Sequence, residues 1–181
     1  VSERYIYDGD QIILRLDGNG DVTNRYLWGP AVDQLLADED ATEELVRWAL
    51  GDHQNSIRDL VEFDDNETPT NLTDDSTAVV DHFTYSAFGE PIYSSSSSIS
   101  SLFGFTGRLF DVTTGLQYNT HRWYDPAQQQ WLSVDPILFA AGDPNPRRYV
   151  NNDPVNNIDP SGLDWGEARD GHYVWVQKGI R

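Results

Sequence analysis

Aromatic and smaller residues alternate in four short stretches: Tyr5-Ile6-Tyr7-Asp8-Gly9, Tyr26-Leu27-Trp28-Gly29, Trp48-Ala49-Leu50-Gly51-Asp52 and Phe83-Thr84-Tyr85-Ser86-Ala87-Phe88-Gly89. A period of two marks a half-buried strand, because successive side chains point to opposite faces, and the trailing Gly or Asp supplies the turn. The anchors Tyr7, Trp28 and Leu50 recur at a spacing of about 21 or 22 residues, which suits one hairpin per repeat in a solenoid-like stack. Between the first two, Asp17-Gly18-Asn19-Gly20-Asp21 predicts a type I′ hairpin turn, since Asn-Gly readily takes positive φ, and strands Ile12 to Leu16 and Val22 to Trp28 should pair across it. The stretch Asp33 to Leu50, with Leu35, Leu36, Leu45, Val46 and Leu50 set among Asp and Glu, predicts a short helical excursion or an acidic loop. Asp64 to Asp75 and the serine run from Ser94 to Ser98 predict surface loops.

From Leu102 onward short apolar stretches are punctuated by Gly and Asp-Pro: Gly104-Phe105-Thr106-Gly107-Arg108, His121-Arg122-Trp123-Tyr124-Asp125-Pro126, Trp131-Leu132-Ser133-Val134-Asp135-Pro136, Asn151-Asn152-Asp153-Pro154 and Asp159-Pro160-Ser161-Gly162-Leu163. Pro cannot donate to a ladder, so this texture predicts short strands ended by Pro. One more strand-like stretch, His172-Tyr173-Val174-Trp175-Val176, follows in the tail.

Apolar residues make up only 38% of the 181, yet six Trp, nine Tyr and seven Phe predict one domain with an aromatic core. With a net charge of -18 and only 12 Lys and Arg, nucleic acid is not expected as a partner, because phosphate binding rests on cationic side chains. No apolar stretch approaches the roughly 20 residues of a spanning helix, and the start lacks the pattern of a signal peptide, so the segment is expected to be soluble. Absence of Cys excludes disulfides and thiol chemistry, and absence of Met points to a piece of a longer product.

The block from Gly104 to Leu163 resembles the RHS repeat-associated core domain, a closing module of bacterial RHS toxins, the C components of insecticidal Tc toxin complexes and related polymorphic toxins. Its Gly-Phe-Thr-Gly-Arg, Arg-x-Tyr-Asp-Pro, Leu-Ser-x-Asp-Pro, Asn-Asn-x-Pro and Asp-Pro-x-Gly-Leu elements stand in the family's order. The upstream Tyr-x-Tyr-Asp themes look like YD repeats, degenerate after Asp52. The resemblance implies a mainly β architecture, with stacked YD/RHS hairpins over residues 1–101 forming part of a spiralling β-shell. An irregular core domain over 102–163 would close that shell, and 164–181 would begin a variable toxin region.

It further implies intramolecular aspartyl-type proteolysis between Leu163 and Asp164, with Arg122, Asp135 and Asp159 as the catalytic constellation and Asp143 as a supporting carboxylate. No cofactor and no metal are implied. The implied partners are the chain's own C-terminal toxin region as enclosed cargo, upstream RHS repeats and a secretion or delivery machinery, in a bacterial protein at the cell surface or secreted. Two departures stand out: Gln129-Gln130 precedes Trp131 where the family has Gly-Arg, and Asn145-Pro146-Arg147-Arg148-Tyr149 replaces a shorter Asn-x-Tyr.

The residues alone leave alternatives open. Two carboxylates held close cannot both ionise, so one can serve as base and the other as acid. Asp before Pro is also a common turn starter, and Arg beside Asp is often only a bridge. Asp17, Asn19, Asp21 and Thr23 alternate like a calcium loop but lack its Gly and its terminal Glu, and His53, His82, His121 and His172 are scattered singly, so no metal site is expected. Rival readings are a non-cleaving structural or cell-surface β-repeat segment and a carbohydrate-binding β module that stacks exposed Trp and Tyr on sugars.

Overall fold

The computed structural model describes residues 2–66, 73, 75–96, 101–136, 144–169 and 172–175, the last element and residues 168 and 169 as backbone only. Eight antiparallel strands follow one another in chain order across one sheet: β1 (Arg4–Asp8), β2 (Gln11–Leu16), β3 (Val22–Trp28), β4 (Leu35–Asp40), β5 (Leu45–Gly51), β6 (Ile57–Asp64), β7 (Ser76–Tyr85) and β8 (Pro91–Ser94). The anchors Tyr7, Trp28, Leu50 and Tyr85 fall at or near the ends of β1, β3, β5 and β7, so each repeat is one hairpin. A second sheet runs β12 (Gln130–Trp131), β11 (Arg122–Asp125), β10 (Leu116–Asn119), β9 (Leu109–Asp111), and a third joins β13 (Asn157–Ile158), β14 (Gly166–Arg169) and β15 (His172–Trp175).

The β2–β3 pairing matches the sequence reading, but the turn is not type I′. Within that loop only Gly20 has a positive φ, at 98°. The Asp17 carboxylate accepts the N–H groups of Asn19, Gly20 and Asp21, each at 2.9 Å. That arrangement favours a three-residue loop in which a type I turn is followed by a left-handed glycine.

Between Asp33 and Leu50 the chain forms neither a helix nor an acidic loop but the β4–β5 hairpin. Its acidic residues are used across strands: Asp38 accepts from Asn24 at 2.8 Å, and Arg47 lies 3.0 Å from both Glu43 and Glu62. The Asp40 carboxylate binds the Thr42 and Glu43 N–H groups at the turn. Pairing with β3 and β6 overrides the helical spacing of the leucines, because a strand's propensity is mostly its packing against neighbours. The two segments read as loops lie largely outside the described residues. Asp64 itself ends β6, and Ser94 ends β8.

Ser94, Ser95 and Ser96 close around Asp81, which is fully buried in β7. Its carboxylate accepts the Ser94 and Ser95 hydroxyls and the His82 and Ser96 N–H groups at 2.8–3.0 Å. Burial of this polar group is tolerated because the donors replace water.

One face of the large sheet carries the first core, where Phe103 packs edge-on against Tyr26 and Trp28 at 5.0 and 4.9 Å above Ile12, Leu35, Ile57 and Leu60. In the other direction, Leu27, Trp48 and Val79 share a face through the ladder and stay about half exposed. A second, aromatic core unites Phe105, Tyr124, Trp131, Tyr149 and Val150, with Tyr124 stacked on Tyr149 at 4.1 Å. The large sheet and the segments after it are riveted together by Thr106 N–H donating to Ser56 Oγ, Tyr124 hydroxyl donating to the Phe88 carbonyl, and Gln54 Nε2 donating to the Pro154 carbonyl, each at 2.9 Å. Asp33 and Arg108 add a buried ion pair with atoms 2.8 Å apart, set off line for a hydrogen bond; burial pushes the Asp33 carboxyl up to about 6 against the pull of Arg108.

Candidate functional site

Arg122 opens β11 immediately after a two-residue turn from β10, and the β10–β11–β12 ladder places it over Trp131. Its guanidinium carbon lies 4.2 Å from the Trp131 ring centroid, and that ring packs edge-on against the stacked pair Tyr124 and Tyr149, 5.5 Å from each. A guanidinium on an indole face is held by the ring quadrupole, so the aromatic core fixes its direction. Asp135 arrives from the segment after β12, anchored by its N–H donating to the Pro146 carbonyl at 3.0 Å. Asp159 follows β13 directly.

Three residues expected from the sequence therefore meet. Arg122 Nη2 lies 3.3 Å from Asp135 Oδ2 and 3.5 Å from Asp159 Oδ2, and all three residues are buried. Two carboxylates thus converge on one guanidinium nitrogen in a water-poor setting. Burial pushes the Asp159 carboxyl up to about 6, opposed by Arg122 and by the Gly162 N–H and Ser161 hydroxyl. Burial also lowers the Arg122 pKa against the pull of Asp135 and Asp159. Asp143, the fourth residue read from the sequence, lies outside the described residues.

The chain from Asp159 to Asp164 wraps this charge cluster as a tight turn between β13 and β14. Asp159 Oδ1 accepts the Gly162 and Leu163 N–H groups at 2.8 and 3.2 Å and the Ser161 hydroxyl at 3.3 Å. Ser161 Oγ in turn accepts the Leu163 and Asp164 N–H groups at 3.1 and 3.4 Å. From the opposite side the β10–β11 turn grips three carbonyls of the stretch 159–162. Asn119 Nδ2 donates to the Asp159 carbonyl at 2.6 Å, His121 N–H donates to the Ser161 carbonyl at 3.0 Å, and Arg122 Nε donates to the Gly162 carbonyl. Gly162 sits at φ 75°, where a Cβ would stand 2.5 Å from the Asn119 carbonyl oxygen and 3.1 Å from the Arg122 nitrogen. Only glycine fits there.

Sequence reasoning missed Asn119, His121 and Ser161 as site residues. A usable signal existed in Leu116-Gln117-Tyr118-Asn119, where the inward positions of a strand are polar. Gln117 and Asn119 are fully buried, with Gln117 Nε2 donating to Asn119 Oδ1 at 2.9 Å, whereas such residues are ordinarily exposed. At the family departure, Gln129 adopts φ 61° in place of a glycine, and Gln130 is exposed beside buried Trp131, so a cation at 130 would point away from Arg122.

The Teneurin YD-shell family model matches residues 51–155. The tRNA nuclease WapA of Bacillus subtilis (strain 168) is 29% identical over 179 residues, covering 95% of this chain and 7% of that protein. The probable deoxyribonuclease RhsB of Dickeya dadantii is 33% identical over 162 residues, covering 88% of this chain and 10% of that protein. The Photorhabdus luminescens Tc holotoxin pore has the same fold in one of its chains, with a TM-score of 0.64 at 18% identity, over 96% of this chain and 8% of that one. This chain thus spans a tenth or less of each of these three proteins.

Proposed function

Since the chain belongs to the YD-shell family of RHS/YD-repeat proteins, we propose that it closes a toxin-carrying β-shell and cuts its own backbone between Leu163 and Asp164. The observation that carries this reading is the convergence of Asp135 and Asp159 on Arg122 beneath the turn that ends at that bond. Asp159, with its carboxyl near 6, keeps about a tenth of its population protonated at neutral pH and acts as the acid. Asp135 acts as the base that takes a proton from the attacking water. Arg122 holds both carboxylates in place and, through Nε, fixes the Gly162 carbonyl one peptide before the reacting one. No metal or cofactor enters the scheme.

Support for a shared shell with exchangeable cargo comes from the relatives' names: a tRNA nuclease and a probable deoxyribonuclease align over nearly all of this chain despite their different named activities. The cargo is then the chain's own C-terminal toxin region, and the partners are upstream repeats of the same protein and a delivery machinery that exports it to the cell surface or beyond. Among the described residues β1 is the edge strand of the large sheet, which suits continuation of the sheet by an upstream strand, and the half-exposed Leu27, Trp48 and Val79 suit a face turned toward enclosed polypeptide.

Intact-mass analysis of the wild type, Asp135→Asn and Asp159→Asn tests the proposal. Wild type should separate at Leu163–Asp164, and either substitution should leave one chain. A folded wild type of undivided mass overturns the cleavage reading and leaves a structural plug.

A further inference from the structure

The self-cleavage reading needs a proton for the departing nitrogen, and the geometry points to its source. We propose that the Ser161 hydroxyl delivers a proton to the Asp164 amide nitrogen as the Leu163–Asp164 bond breaks, relaying it from Asp159. This rests on the self-cleavage reading and adds to it a third reacting side chain.

A hydroxyl has one donor and two acceptor positions. At Ser161 all three are engaged with groups of the reaction: it donates to Asp159 Oδ1 at 3.3 Å and accepts the Leu163 and Asp164 N–H groups at 3.1 and 3.4 Å. One oxygen therefore spans the acid and the leaving nitrogen. Its position is fixed from behind, because the Ser161 carbonyl accepts from both His121 N–H and His121 Nδ1, each at 3.0 Å. The Asp159 carboxylate is anchored separately by the Gly162 and Leu163 N–H groups and by Arg122 Nη2. A relay through a hydroxyl lets the acid stay in these bonds while the proton travels.

The steps balance as follows. Water oxygen bonds to the Leu163 carbonyl carbon and its proton passes to Asp135. As the tetrahedral adduct collapses, the carbon–nitrogen bond breaks and the nitrogen pyramidalises and takes the Ser161 Oγ proton. For this transfer both resting bonds reverse: the Asp164 N–H turns off Ser161 Oγ so that the nitrogen lone pair faces it, and the protonated Asp159 carboxyl turns from acceptor to donor, so that Ser161 Oγ recovers its proton from Asp159. The products are the Leu163 carboxyl and the Asp164 amine, with one water consumed; proton exchange with solvent resets the two aspartates.

The test compares Ser161→Thr, which keeps a hydroxyl, with Ser161→Val, which has nearly the same shape without one, and with Ser161→Ala. Cleavage of the full-length protein is timed by pulse-labelled cell-free synthesis, and fold is monitored by thermal melting. The Thr variant should cleave within about tenfold of wild type, whereas Val and Ala should slow about 10²–10⁴-fold, the range of a lost proton-transfer group. A proton inventory in mixed light and heavy water should lose its two-proton curvature in the Val and Ala variants. Val or Ala cleaving as fast as Thr, or Thr slowing as much as Val, overturns the relay. Failure of the wild type itself to cleave would instead sink the underlying reading, so the two failures are separable.

Discussion

Asp159 should make the protein more stable as the pH falls from neutral toward 5, the reverse of the usual behaviour of a paired aspartate. Its carboxyl is 3% exposed and raised from 3.8 to about 6 by burial, which outweighs the pull of Arg122. Between those two values the folded state binds more protons than the unfolded state, so stability is gained on acidification and lost as pH rises through about 6. A shift of about two units corresponds to about 3 kcal/mol in total, and the part realised between about pH 7.5 and about pH 5 is about 1.4 kcal/mol. Urea unfolding measures it, with Asp135→Asn as the parent so that the chain stays in one piece, and Asp135→Asn/Asp159→Asn as the variant. Asp33, also raised to about 6 by burial, contributes a slope of the same sign to both proteins and drops out of the comparison. The double variant should lose about 1.4 kcal/mol of the stability gained between the two pH values. Equal slopes in the two proteins would show that Asp159 is not held protonated by burial and would remove the acid from the proposed mechanism.

Other outcomes follow from the same geometry. Gly162→Ala forces a Cβ to 2.5 Å from the Asn119 carbonyl at φ 75°, so cleavage should be abolished and stability should fall by at least about 1–2 kcal/mol, read by mass and by melting. Gln129→Gly relieves a left-handed φ of 61° and should raise stability by up to about 1 kcal/mol, or about 2–4 °C in melting midpoint; an unchanged or lowered midpoint would contradict this. Asp81→Ala strips the acceptor from Ser94, Ser95 and Ser96 and should cost about 1–3 kcal/mol in urea unfolding, as buried donors lose their partner. After cleavage, β14 remains laddered to β13 at Asn157↔Glu167 and Ile158↔Gly166; the severed tail should co-elute in size exclusion and separate only in denaturant.

Strand pattern, repeat spacing and the family block were legible because they are local. The alternation around Tyr7, Trp28 and Leu50 and the glycines after them declare hairpins whatever lies above the sheet. The same locality misled at Asp33 to Leu50, where helical spacing of leucines and a run of acids lost to pairing with β3 and β6. It misled again at Asn19-Gly20, where the Asp17 carboxylate outweighed the preference of the dipeptide.

By itself the sequence determined a mainly β chain with an aromatic core, and nominated Arg122, Asp135 and Asp159 by motif. Tertiary structure alone decided that Arg122 and Asp159, 37 residues apart, share a nitrogen's reach with Asp135, and that Asn119, His121 and Ser161 hold the turn above them. Turns and periods are written in neighbouring residues, whereas the burial that raises Asp159 and the grip on the Leu163–Asp164 turn exist only once Trp131, Tyr124 and Tyr149 have packed and brought distant strands together.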